Sequence, residues 1–310
     1  MAMSDERKPQ HFKKKEDKSS IKFRRTSTLI SVVALIASMS LVVTSCSSSK
    51  DSSSSEIVET YATKVQTTIT TTEAPEPVLT LLPGIQERLD KNKDSAGWIN
   101  IKDVVDEEIV QRTDAETGNS FYIDHGLNGN KSTSGAIFAD YRNTLNGRKT
   151  SDNIILYGHN QKDNTRFGNL DKYKWNLTNN DCNYFKKHNL INFSTNYQSR
   201  QYKIFAIFVT NVEPKHDNGN VFDYQNYLDL SDEARYNQFM DQVMQRTLIL
   251  SGIDVKYGDK FLTLSTCSTE FEPSRLVFVA RQLRDGESTE IDETKLQINA
   301  NAKWPAVCRR

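Results

Sequence analysis

A thiol, a guanidinium and an imidazole each stand where an apolar run of this chain ends or begins. Cys267 closes Thr263-Leu264-Ser265-Thr266-Cys267, and Arg275 follows eight positions later, heading Leu276-Val277-Phe278-Val279-Ala280. His159 comes directly after Asn153-Ile154-Ile155-Leu156-Tyr157-Gly158 and before Asn160. A thiol attacks as its thiolate, which a neighbouring base or positive charge favours. A fixed guanidinium stabilises the oxyanion that develops when such a nucleophile adds to a carbonyl. A single histidine in a loop is commonly a solvated residue, and a single strand-end cysteine a small buried hydrophobe. The three together point to nucleophilic catalysis.

Elements must bring these residues to one place. Residues 260–266 read as a strand, because Phe261, Thr263 and Ser265 alternate with Leu262, Leu264 and Thr266. The run 276–280 has the same character, and the connection 268–274 is polar with Pro273 marking a turn. Cys267 at the end of one strand and Arg275 at the start of the next would then project from one rim of a sheet. Gly158 permits a tight exit from the strand 153–157, leaving His159 just past its end. Further strands are expected at about 120–123, 135–138, 191–193 and 201–212, after a helix near 85–92. One long helix follows, with Ser231 as N-cap and Asp232 and Glu233 in its first turn. Its Tyr236, Phe239, Met240, Val243 and Thr247 fall on one apolar face, which reads as core packing. Short strands and few helices predict a mainly β, barrel-like domain.

The pieces Ile155-Leu156-Tyr157-Gly158-His159-Asn160 and Thr263-Leu264-Ser265-Thr266-Cys267, with Arg275 leading 276–281, closely resemble the sortase transpeptidases of class B. Phe121-Tyr122-Ile123-Asp124-His125 and the segment 135–143 also resemble the class B pattern, so the resemblance runs from about Gly97 to about Gln282. It implies a closed sortase-like β-barrel with a long helix inserted before the catalytic-cysteine strand, walling a groove for the sorting signal. Thr269 is a departure, since many class B members carry a bulkier or acidic residue there.

The resemblance implies that Cys267 attacks the carbonyl after a threonine in an NPxTx-like sorting signal, forming a thioacyl intermediate. His159 would protonate the leaving amine, and Arg275, with a backbone N–H near Cys267, would stabilise the oxyanion. Ser265 is a candidate substrate contact. The partners would be surface proteins bearing sorting signals and a peptidoglycan amine, from the cross-bridge or its lipid-linked precursor.

Composition agrees with an enzyme of the cell envelope. Lys plus Arg and Asp plus Glu balance at 40 each, which gives no reason to expect nucleic acid. Residues 1–25 form a basic tail, and residues 26–49 carry no charge at all. An apolar stretch there is long enough for a bilayer, which takes about 20 residues, and the basic side would remain cytoplasmic. We therefore expect a cytoplasmic tail at 1–25, a transmembrane anchor at 26–46, a Ser/Thr/Pro-rich tether at 47–83 and a catalytic domain at 84–310. This puts a single-pass protein in the cell membrane with its catalytic domain outside. Val43-Thr44-Ser45-Cys46 also resembles a lipobox, whereas sortases of this class usually keep an uncleaved helix.

The other candidates are bland. His11 lies in the tail, His188 and His216 lie in polar surroundings that suggest exposure, and His125 reads as structural. No His/Cys cluster has metal-ligand spacing and no glycine-rich phosphate loop occurs, so no cofactor is expected. Cys182 and Cys308 could pair outside the cell, but four cysteines at irregular spacing are no disulfide framework. A pilin-polymerising sortase would share the triad and use a lysine acceptor. A papain-like hydrolase has its cysteine before its histidine, the reverse of the order here. A non-enzymatic surface lipoprotein would not explain three reactive residues at strand ends.

Overall fold

The alternation of apolar residues in the two strands around Cys267 feeds two separate packing layers. The computed structural model describes residues 79–308. In it β8 (Phe261–Cys267) and β9 (Ser274–Gln282) form an antiparallel pair. Leu262, Leu264, Leu276, Phe278 and Ala280 join the main core. Phe261, Val277 and Val279 face the other way, onto a second apolar layer. Side chains of a strand point alternately to its two faces, so strands buried on both faces read as nearly continuous apolar runs.

The main core fills a closed barrel of order β1-β2-β3-β4-β8-β9-β6-β5. Its other strands are β1 (Ser95–Ile101), β2 (Val105–Val110), β3 (Ile137–Ala139), β4 (Asn153–Tyr157), β5 (Leu190–Thr195) and β6 (Ser199–Asn211). Two short strands, β7 (Ile249–Leu250) and β10 (Gln297–Ile298), pair outside it. The helices are α1 (Ile85–Lys91), α2 (Asp171–Thr178), α3 (Asn183–Lys187) and α4 (Glu233–Arg246). The fold is the mainly β barrel with few helices that the motifs imply.

The strands expected at 153–157, 191–193 and 201–212 appear as β4, β5 and β6, and the one expected at 135–138 as β3. The expected strand at 120–123 is instead a 3-10 turn over Phe121–Ile123. Its N–H groups are satisfied locally, with Phe121 donating to Thr117 O and Ile123 to Ser120 O. Strands β1 and β2 were not evident in the sequence, because Gly97 and Asn100 interrupt the first and Asp106, Glu107 and Glu108 break the apolar alternation of the second. Gly97 in β1 meets β5 so closely that a Cβ there would lie 2.0 Å from Ser194 O.

Helix α4 forms the lid of the second apolar layer. Phe239 and Val243 are fully buried there, and Tyr236 is nearly so, against Phe261 of β8. Burial of each such side chain contributes about 1.5–3 kcal/mol. The N-cap is Asp232, whose carboxylate accepts from Arg235 N, rather than Ser231. The Ser231 hydroxyl is already given to Asp229 Oδ1 at 2.6 Å, so the neighbouring carboxylate takes the capping role.

Residues 79–83, the end of the expected tether, lead into α1 with Leu82 N donating to Asn196 O. The expected anchor at 26–46 and most of the tether lie outside the described residues. Among the described residues no helix is long and apolar enough to cross a membrane.

Candidate active site

Strand pairing dictates where the three reactive side chains meet. β4 runs parallel to β8, and the last matched pair is Tyr157 with Ser265. Gly158 N still donates to Ser265 O at 3.2 Å. His159 follows just past the end of β4 and Cys267 closes β8, and both line the same cleft. On the other flank of β8, Cys267 is matched with Arg275 of β9. Ser268 N donates to Ser274 O, which makes Cys267 and Arg275 a non-hydrogen-bonded pair. Side chains approach more closely in such pairs.

The result is a contact of 3.8 Å between Arg275 Nη1 and Cys267 Sγ. The same nitrogen donates to Ser274 O at 3.0 Å, which holds the guanidinium in place. Among the described residues no carboxylate forms an ion pair with Arg275, so its charge remains directed at the thiol and the adjoining space. Because β9 lies between β8 and β6, with Thr210 matched to Arg275, the arginine backbone is fixed from both sides.

His159 is half-buried, and its Nε2 donates to Ile123 O at 2.6 Å. A carbonyl only accepts, so Nε2 carries the hydrogen and Nδ1 is the nitrogen with the free lone pair in the neutral ring. The irregular turn at 121–123 thus has a use: it presents a carbonyl to the imidazole. Gly158 is required by space rather than by an unusual φ. A Cβ there would lie 2.8 Å from Cδ2 of the buried Phe167 ring.

These groups open onto a cleft of about 310 Å3, whose lining includes Asn119, Ile123, Tyr157, Gln225 and Ser265. The walls are braced from behind. Tyr157 Oη donates to Asp140 Oδ2 at 2.8 Å, and Asn119 Nδ2 to the same oxygen at 3.0 Å. Burial alone would push the Asp140 carboxyl up, but hydrogen bonds from Arg142 and Tyr157, together with the Arg142 charge, outweigh it and hold the group below the usual carboxylate range. Burial, then the Asp140 charge, pushes the Tyr157 phenol well up, so it stays a neutral donor.

Ser265 reaches the cleft while only 2% exposed, and its hydroxyl is joined to Tyr224 Oη at 2.6 Å. Helix α4, expected to wall the substrate groove, contributes no residue to this cleft; Gln225, from the segment ahead of it, does. The apolar stripe of α4 is occupied by core packing. Asn119, Gln225 and Tyr224 could not be singled out from the sequence, since they lie in irregular segments without periodicity. Ile123, Tyr157 and Gly158 sit inside the stretches that carry the family resemblance.

The remaining residues fall elsewhere. His125 stacks on Phe121 and hydrogen-bonds Phe121 O through Nδ1, a structural arrangement. His188 and His216 are half-buried rather than exposed: His188 Nδ1 contacts Lys102 O, and His216 packs edge-on to Phe271. Cys182 carries no disulfide, so the possible pairing of Cys182 with Cys308 is not formed. Burial pushes the Cys182 thiol up, which keeps it protonated and inert. Among the described residues no group of three or more His, Cys, Asp or Glu could hold a metal ion.

Comparison with known proteins agrees with this geometry. The chain matches the Sortase domain family over residues 114–283. It is 30% identical over 189 residues to sortase B of Listeria monocytogenes, covering 60% of this chain and 68% of that protein. It is 31% identical over 202 residues to sortase B of Staphylococcus aureus, covering 64% of this chain and 74% of that one. The fold overlays the structure of a Staphylococcus aureus sortase B–substrate complex with a TM-score of 0.55 at 28% identity, covering 66% of this chain and 87% of that chain. Similarity in sequence and in fold has one source: this chain belongs to the sortase family of transpeptidases, in class B.

Proposed function

We propose that the chain is a cell-envelope cysteine transpeptidase that cleaves an NPxTx-like sorting signal after its threonine and passes the protein to a peptidoglycan amine. The observation that carries this reading is the shared rim of β4, β8 and β9, with Arg275 Nη1 3.8 Å from Cys267 Sγ. The Cys267 thiol gives its proton to His159, and the sulfur adds to the threonyl carbonyl. Arg275 takes the charge that develops on the carbonyl oxygen, aided by a backbone N–H near Cys267. Collapse of the adduct breaks the peptide bond, and the imidazolium protonates the departing amine. The acceptor amine then attacks the thioester, gives its proton to His159 and restores the thiol. Ser265 forms part of the floor on which the peptide lies.

Membrane attachment through residues 26–46, with residues 47–83 as a tether, would hold the catalytic domain at the outer face of the cell membrane. The basic segment 1–25 and the uncharged segment 26–49 support that orientation. Amino-terminal sequencing of the membrane fraction checks it: an intact amino terminus is expected, and a mature chain starting at a lipidated Cys46 would replace the anchor with a lipoprotein attachment.

The catalytic reading is tested by intact-mass measurement of the enzyme incubated with a panel of sorting peptides. We expect an acyl adduct on Cys267 that an amine discharges. Absence of any adduct on Cys267 with NPxTx-like peptides, alongside adducts with another signal, would overturn the proposed specificity.

A further inference from the structure

Past Gly158 the parallel ladder between β4 and β8 is interrupted at the position that matters most. The last backbone rung runs from Gly158 N to Ser265 O. In a parallel pair the next would run from Asn160 N to Cys267 O. The chain has already turned away there: Phe167 N donates to His159 O at 2.9 Å, and Asn160 bridges to Arg166. The Cys267 carbonyl faces β4, since Cys267 and Arg275 are a non-hydrogen-bonded pair in the other ladder. Its partner is the Asn160 side chain, whose Nδ2 lies 3.0 Å away. A side-chain amide thus stands in for the missing rung, between the residue after the imidazole and the residue bearing the thiol.

The amide is itself held. The same Asn160 nitrogen donates to Asp171 Oδ2 at 2.8 Å, so both of its hydrogens have acceptors and its orientation is set. Asp171 Oδ1 lies 3.2 Å from Lys174 Nζ, outside hydrogen-bond geometry, so charge attraction links them. Lys174 is only 5% exposed, and its ammonium also lies 3.2 Å from Glu270 Oε1 and from Thr269 Oγ1. It therefore gathers the loop that leaves Cys267 onto the same α2 turn that orients Asn160.

We propose that Asn160, oriented by Asp171, is a positioning residue that sets the placement of His159 relative to Cys267 for acyl transfer. Asn160 does not line the cleft; it acts through the Cys267 carbonyl and through its own place next to His159. The inference rests on His159 and Cys267 being the catalytic pair proposed above. Misplacing reacting groups by about 1 Å can cost on the order of 10²-fold in rate.

The test is single-turnover acylation by a sorting peptide, with rates expressed per alkylatable Cys267 thiol. Asn160→Ala should lower kcat for acylation about 10-fold to 100-fold while KM for the peptide stays within about twofold. Asp171→Ala should reproduce that loss, and the double variant should be no worse than either one, because the two side chains act as a unit. Asp171→Asn keeps an oxygen that can accept from Asn160, and should restore most of the rate. Thermal unfolding identifies variants that fail to fold, and Asp171→Asn, which preserves shape, supplies the comparison if Asp171→Ala is among them. A native per-thiol kcat in Asn160→Ala, with Cys267→Ala inactive, would overturn this inference alone. Full acylation by Cys267→Ala would overturn the catalytic reading, and this inference with it. Equal losses in Asp171→Asn and Asp171→Ala would also overturn it, since orientation by a hydrogen bond would not then be the cause.

Discussion

Tyr224 Oη lies 2.6 Å from Ser265 Oγ, with both side chains buried beneath the cleft. Burial pushes the phenol up and the Ser265 hydrogen bond works in the opposite direction, leaving a neutral hydroxyl. One hydrogen is shared between the two hydroxyls, which ties Ser265 to Tyr224 where it lines the cleft. Ser265→Ala would leave the buried Tyr224 hydroxyl with Gln225 as its remaining side-chain partner, and should cost about 1 kcal/mol of stability. Adding Tyr224→Phe should recover much of that loss, as measured by urea unfolding. If Ser265 also recognises the peptide, Ser265→Ala should raise KM in the Tyr224→Phe background, where stability no longer differs.

Replacement of the nucleophile should separate chemistry from folding. Cys267 is exposed, so Cys267→Ala removes a sulfur without opening a core cavity. We expect native thermal stability with no acyl adduct and no transpeptidation. Cys267→Ser should be nearly inactive as well, because a hydroxyl without strong base activation is a far weaker nucleophile. Intact mass after peptide incubation checks both variants.

Arg275→Lys should behave unlike a conservative change. The lysine ammonium is a point charge without the planar guanidinium, whose Nη1 both donates to Ser274 O and lies 3.8 Å from Cys267 Sγ. Loss of an oxyanion donor costs about 10²-fold or more in kcat. Single-turnover acylation is the measurement, and a lysine variant at the native rate would assign Arg275 a structural part only.

Helix α4 offers a contrast between packing and catalysis. Phe239 is fully buried against Phe222, Tyr227 and Phe261. Phe239→Ala should lower stability by about 3–5 kcal/mol, while the alkylation rate of Cys267 in the folded fraction remains native. Denaturant titration paired with thiol labelling distinguishes the two effects. A selective change in peptide preference would show that the helix also reaches the bound signal.

Acid stability should depend on one ion pair far from the cleft. Hydrogen bonds from the buried Arg281, opposed by partial burial, hold the Glu287 carboxyl down at about 2. A depressed carboxylate contributes stability above its unfolded value near 4.5, and that contribution fades as pH falls toward about 2. After discounting for solvent screening it should amount to roughly 1–2 kcal/mol. Urea unfolding at pH 6 and pH 3 should show Glu287→Gln less stable than the parent at pH 6. The difference should shrink at pH 3, and a constant difference would remove Glu287 from the account.

The reactive residue types, their place at strand ends and the family were legible in the sequence, because β4, β8 and β9 are buried on both faces and leave unbroken apolar runs. The placement of Cys267 and Arg275 on one rim was legible for the same reason, since one closes a strand and the other opens the next. Tertiary structure decided what surrounds them. Ile123 O reaches His159 from an irregular turn, Tyr224 takes the Ser265 hydroxyl across 41 positions, and Asn160 reaches the Cys267 carbonyl across 107. Such contacts join segments with no shared period, and they form only when barrel closure brings β4 beside β8. Strands β1 and β2, and the absence of a Cys182–Cys308 disulfide, were settled at the same level, because pairing partners and separations in space are properties of the closed barrel and not of local sequence.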